Sequence, residues 1–177
     1  MTSTRERLLD AYEALIDSVG ERRASLDAVA RAAGTSKGGL LYHFPSKAAL
    51  VTGVCDRLEN LVRADIEVMR TAPEGAARYY VRTSRKAGTA LDTSLLAITR
   101  LQDAGYPEAH RVARQVDEEW LDALSEQIPD PATAYVVKLI GDGAYYESLR
   151  GDSDAPPRKR PTTDDILSVV DRLTTRQ

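Results

Sequence analysis

The residues whose types and spacing could do chemistry lie within positions 25–47. Ser25, Ser36, Lys37, Tyr42, His43 and Lys47 offer hydroxyl, ammonium, phenol and imidazole groups in one short span, with Gly39 and Leu41 among them. Each of those six side chains can donate a hydrogen bond, and the two lysines carry positive charge. No carboxylate stands between Asp27 and Asp56, while Arg31, Lys37 and Lys47 give that window a local charge of +3. Such a surface suits a polyanion, because phosphate oxygens need donors and cations and are repelled by acids. Bond-breaking chemistry has no comparable set. The two histidines, His43 and His110, and the one cysteine, Cys55, are widely separated, so no metal-ligand cluster and no nucleophile–base pair is apparent. A phosphate-cradling glycine loop and a nucleophile elbow are missing as well. The expectation is no enzyme, no metal and no cofactor.

The elements that must position these groups are legible. Ser25 can cap a helix whose apolar positions, Leu26, Val29, Ala30 and Ala33, share one face. Gly34 stands where that helix must stop, since glycine tolerates the left-handed exit. Thr35 and Ser36 can cap a second helix starting at Lys37. Pro45 ends it quickly, because the residue before a proline avoids helical geometry. Leu40 and Phe44, four apart, can anchor the short helix to a core. Ser36, Lys37, Gly39, Tyr42 and His43 are left facing outward. Ser46 caps the next helix. Helix, tight turn and short second helix make the layout of a helix-turn-helix reader of DNA.

The run Ala33-Gly34-Thr35-Ser36-Lys37-Gly38-Gly39-Leu40-Leu41-Tyr42-His43-Phe44-Pro45-Ser46-Lys47-Ala48-Ala49-Leu50 resembles the signature of TetR-family transcriptional regulators. The resemblance covers about a quarter of the chain, near its N-terminus. It implies an all-α, TetR-like fold of about nine helices. Residues 1–48 would form a three-helix DNA-binding domain and residues 49–177 a helical effector-binding and dimerisation domain. It also implies that Ser36, Lys37 and Gly39 approach bases and phosphates, that Tyr42 and His43 meet phosphate with some base contact, and that Lys47 and Ser25 sit at phosphate positions. Leu41 lies in the groove-facing register, where it could touch a thymine methyl. Gly39 and Leu41 depart from the polar residues common there, which moves specificity towards DNA shape. Packing for Tyr42 and a local cap for His43 are the bland alternatives.

The rest of the chain agrees in class. The formal charge of −3 conceals an uneven distribution: residues 101–155 hold twelve acids against four bases, a local −8. A local basic face is all that DNA binding requires. A helix from about 46 to 70 connects the two regions, with apolar positions from Leu50 to Met69. Further helices are expected from about Glu74 to Ala87, from about Thr93 towards Gly105, from Pro107 to before Pro129, from Pro131 to Gly151, and from about Thr163. The last two are richer in apolar residues than one covered face requires. By the resemblance they pack against a second copy, giving a homodimer that meets a roughly palindromic operator in double-stranded DNA.

A repressor released by an unknown small-molecule effector is the family's usual behaviour. An activator or an effector-independent regulator has the same residues. The candidate effector contacts are Met69, Tyr79, Leu96, Tyr106, Trp120, Asp142, Tyr145 and Tyr146, with ordinary core packing the alternative for all but Asp142. Asp142 could face a pocket, the dimer seam or solvent. Cys55 falls in a core register. Arg158-Lys159-Arg160 reads as a solvated loop. The N-terminus starts a helix rather than a signal peptide, and no apolar run approaches membrane length, so a cytoplasmic location is expected.

Overall fold

The punctuation read from the sequence appears as helix caps and glycine turns. The computed structural model describes residues 3–84, 88–149 and 161–175. Nine α-helices and no strand occur among the described residues: α1 (Thr4–Val19), α2 (Leu26–Ala32), α3 (Lys37–His43), α4 (Lys47–Arg70), α5 (Ala76–Thr83), α6 (Ala90–Asp103), α7 (Pro107–Ser125), α8 (Pro131–Leu149) and α9 (Thr163–Thr174), with a 3-10 turn at Glu21–Arg23. The Arg158-Lys159-Arg160 run lies outside the described residues.

The caps explain the boundaries. The Ser3, Ser25 and Ser36 hydroxyls accept the backbone N–H of Glu6, Ala28 and Gly39. Each thereby satisfies a donor that has no partner within its helix. Gly34 takes φ 65°, so α2 turns sharply into α3. Three boundaries differ from the sequence reading, one of them the end of α5 at Thr83 rather than Ala87. α5 begins at Ala76 rather than Glu74, because Gly75 takes φ 83°, which no helical residue can adopt. α6 begins at Ala90 rather than Thr93, because Thr89 and Asp92 form a reciprocal capping box. That pair is a serine/threonine box with aspartate in place of the commoner glutamate.

Packing groups the residues into two units: those up to Val62 with Thr89–Val116, and Arg63–Gly88 with Asp117 onward. In the first, α1 packs on α2 and α6, and α2 on α3. Leu8, Leu9, Tyr12, Ile16, Val29, Leu40, Leu58, Ile98 and Leu101 are fully buried there. Within this apolar interior Glu13 is only 2% exposed. It accepts the Ser94 hydroxyl at 2.7 Å and Arg57 at 3.1 Å, and Arg57 also holds Asp10 at 2.5 Å. Burial raises the Glu13 carboxyl, opposed by the Ser94 hydrogen bond and the Arg57 charge. One carboxylate thus ties α1, α4 and α6. Cys55 is buried, and burial pushes its thiol up to about 12, consistent with core packing.

In the second unit α5 packs on α8 and α9. Tyr80 of α5 lies against Gly141 of α8 and donates its hydroxyl to Asp142 at 2.7 Å. Lys138, 3% exposed, donates to Asp142 at 2.7 Å and pairs with Asp117. A methyl group at Gly141 would come within 2.4 Å of the Tyr80 ring, whose hydroxyl is already fixed. Gly141→Ala gains about 1 kcal/mol of helix propensity and loses about 1–3 kcal/mol to overpacking. The expected net effect is destabilisation of up to about 2 kcal/mol, read as a lower midpoint in chemical denaturation.

Candidate nucleic-acid interface

α3 has only seven residues and contains two glycines, so its position depends on its anchors. Leu40 is fully buried and Phe44 is 3% exposed. Arg5 covers the Phe44 ring, its guanidinium 5.4 Å from the ring centroid. With Leu40 and Phe44 turned inward, the opposite face is presented outward. Ser36 and Lys37 are exposed, Gly39 and His43 are half-buried, Leu41 is 38% exposed and Tyr42 is 85% exposed. The Tyr42 and His43 rings meet edge to face with centroids 5.1 Å apart. An exposed tyrosine of that degree is not a packing residue, which removes the bland alternative for Tyr42.

Gly39 has an intramolecular reason. A side chain there would place its first carbon 2.7 Å from the Thr35 hydroxyl and 3.4 Å from that of Ser36. The residue therefore leaves room for the cap that starts α3, in addition to offering a bare backbone. Ser25 is exposed, and its hydroxyl is engaged as the α2 cap.

Both lysines are held by carboxylates that the acid-free window did not include. Lys37 lies 3.1 Å from Asp27, with both side chains more than half exposed. Lys47, at the first position of α4, lies 2.7 Å from a Glu21 carboxylate oxygen. It also donates to the Glu21 carbonyl at 2.6 Å. The Tyr106 hydroxyl donates to the same Glu21 oxygen at 2.6 Å. Burial would raise the Glu21 carboxyl, but the Lys47 and Tyr106 hydrogen bonds outweigh it and hold it low. Sharing that carboxylate pushes the Tyr106 phenol up to about 12. Glu21 and Asp27 stand just outside the linear stretch that was free of acids, and only folding brings them onto its lysines.

The candidate effector contacts are divided between the two units. Leu96 and Tyr106 belong to the first unit, both half-buried. Met69, Tyr79, Trp120, Asp142, Tyr145 and Tyr146 belong to the second. Met69 is fully buried, and Tyr146 is 65% exposed. Tyr79 and Trp120 meet at Asp65, donating at 2.9 and 3.0 Å. Trp120 and Tyr80 contact edge to face at 6.2 Å. Burial and the Asp65 hydrogen bond push the Tyr79 phenol up to about 12. Asp142, 33% exposed, accepts from Tyr80 and Lys138. Tyr80 and Asp65 belong to this cluster although the sequence reading did not single them out. Their cue was position: Tyr80 is adjacent to Tyr79, and Asp65 is an acid on the long apolar helix. No group of residues fit to hold a metal occurs among the described residues.

Comparison with known proteins agrees with this architecture. The N-terminal model of bacterial regulatory proteins of the tetR family matches residues 8–54. The model of a tetracyclin repressor-like C-terminal domain matches residues 74–171. No curated protein sequence matches the chain. Among solved structures, SCO7518 from Streptomyces coelicolor A3(2) is similar at 21% identity, with 98% of this chain and 99% of that one covered and a TM-score of 0.68. The multidrug binding protein EbrR, complexed with imidazole, is similar at 21% identity, with 98% and 96% covered and a TM-score of 0.64. The ketosteroid transcriptional regulator KstR2 of Mycobacterium tuberculosis is similar at 20% identity, with 96% and 94% covered and a TM-score of 0.56. These likenesses concern the fold, whereas the two family models account for the reader and for most of the helices that follow it: the chain belongs to the TetR family of bacterial transcriptional regulators.

Proposed function

We propose that this protein is a homodimeric repressor that reads a roughly palindromic operator with α3 and leaves it when a small molecule binds within residues 49–177. The observation that carries the DNA-reading part is the two-sided character of α3. Leu40 and Phe44 fix it from within, while Ser36, Lys37, Leu41 and Tyr42 face solvent. Donors, a cation and an apolar tip on one short helix match the demands of phosphates, base edges and thymine methyls. Gly39, His43, Ser25 and Lys47 complete the contact set, which acts where the operator is, in the cytoplasm. No helix among the described residues is long and apolar enough to cross a membrane.

The homodimer is supported by α8 and α9. Tyr135, Val136, Leu139, Tyr146 and Leu149 of α8, and Val169 and Leu173 of α9, are exposed apolar residues. On α8, the spacing of Tyr135, Leu139, Gly143 and Tyr146 forms one stripe. A continuous apolar face of this kind is uncommon on a monomer. A second copy satisfies it with the self-complementary geometry of a two-fold interface. Release by a small molecule is supported by the family and by EbrR, a multidrug binding protein of the same fold. The Tyr79–Asp65–Trp120 cluster is the part of the effector region in which aromatic faces and a carboxylate converge.

Capture of fragmented genomic DNA on the purified protein, followed by sequencing, is expected to enrich a few fragments sharing an inverted repeat. Uniform enrichment would refute sequence-specific reading. On the operator so found, Lys37→Ala is expected to cost about 1–3 kcal/mol and to relax preference at one base pair per half-site. Lys47→Ala is expected to weaken every sequence alike. Equal losses across sequences for both variants would remove Lys37 from base reading. Leu139→Glu is expected to leave the helical content unchanged, to give a monomer in sedimentation, and to weaken operator binding by tenfold or more, on the order of the avidity a linked half-site supplies.

A further inference from the structure

Lys47 is the residue of the reader whose positive charge is most firmly held inside the protein. Its side chain is 29% exposed and that of Glu21 only 12%. An ion pair so placed is screened by salt far less than a surface pair. Lys37 and Asp27, at 58% and 61% exposure, are open to water and separate at little cost. An ammonium has three protons. Lys47 directs one at the Glu21 carboxylate and one at the Glu21 carbonyl, which leaves one for a phosphate. Any phosphate that takes it must approach a carboxylate that the Tyr106 hydroxyl fixes in place. The lysine counted as a cation in the sequence is thus close to neutral as part of the pair.

We propose that Glu21 restrains DNA binding by this regulator, acting through Lys47. The inference rests on the reading of Lys47 as a phosphate contact. Glu21 is a positioning residue in this scheme: it keeps the ammonium from contributing its full charge to the backbone of the duplex. A consequence is that much of the sequence-independent affinity of the reader is withheld, while contacts from α3 are untouched. Operator and bulk DNA binding are lowered alike, so base contacts carry a larger share of the total.

The test uses the full chain, a fluorescently labelled mixed-sequence duplex several helical turns long, and anisotropy titrations over a series of KCl concentrations. Glu21→Gln is nearly isosteric and removes the charge. It is expected to bind about three- to tenfold tighter. Its plot of log affinity against log salt is expected to steepen by about 0.9 per subunit. Glu21→Asp, which draws the carboxylate back by one methylene, is expected to show a smaller gain and serves if the glutamine variant fails to fold. In a Lys47→Met background, Glu21→Gln is expected to give a smaller gain, limited to the carboxylate's own repulsion of the phosphate, and the difference between the two gains marks action through the lysine. Unchanged or weaker binding by Glu21→Gln overturns the proposal, since Glu21 would then orient Lys47 productively. An equal gain in the Lys47→Met background also overturns it, since Glu21 would then repel the duplex directly. If Lys47→Met alone binds as tightly as the natural chain, the phosphate reading of Lys47 has failed instead.

Discussion

A seven-residue helix cannot hold itself together in water. Isolated helices below about 12 residues are marginal even with the best formers, and α3 carries Gly38 and Gly39 in its first turn. Its existence depends on the burial of Leu40 and Phe44. Fully burying a leucine or phenylalanine contributes about 1.5–3 kcal/mol. The Ser36 cap and the stop imposed by Pro45 then fix its ends. The inward pair also fixes the rotation of the helix, so it decides which side chains reach solvent. Tyr42 is 85% exposed because Leu40 and Phe44 are not. The outward face of α3, the one proposed to read DNA, is therefore a consequence of two anchors, with the supporting helices α1 and α2 supplying the surface they need.

Charge follows a different logic. A window of sequence without acids need not be a surface without acids. Asp27 lies at the start of α2 and Glu21 in the 3-10 turn before it, and both come back onto the lysines of the reader. The two pairs are unequal. The Lys37–Asp27 pair is open to water, whereas the Lys47–Glu21 pair is partly enclosed and shares its carboxylate with Tyr106. Enclosure more than distance separates the two pairs.

The second unit uses its polar groups inward. Lys138 would be costly to bury alone, and it is kept with Asp142 and Asp117. Asp142 also takes the Tyr80 hydroxyl, whose phenol is raised well above its ordinary value by burial and by that carboxylate. On α8 this network borders the apolar stripe through Tyr135, Leu139 and Tyr146, Asp142 standing three residues after Leu139 and four before Tyr146. The same helix thus supplies an internal polar network and an uncovered apolar face, the property that the homodimer reading uses.

The sequence by itself determined the helical class, the helix-turn-helix layout and most helix ends. These depend on interactions within a few residues: a hydroxyl capping an N–H three positions on, a glycine at positive φ, a proline without a donor. Two helix starts were misplaced for equally local reasons, at Gly75 and at the Thr89–Asp92 box. The tertiary structure decided which groups meet. That Glu13 would join Arg57 and Ser94, that Glu21 would hold Lys47 and Tyr106, and that Tyr79 and Trp120 would share Asp65 depended on packing between helices distant in the chain. Periodicity gives the buried face of a helix and not the neighbour that covers it. Ion pairs and hydrogen bonds between distant helices therefore become visible only once the core has closed.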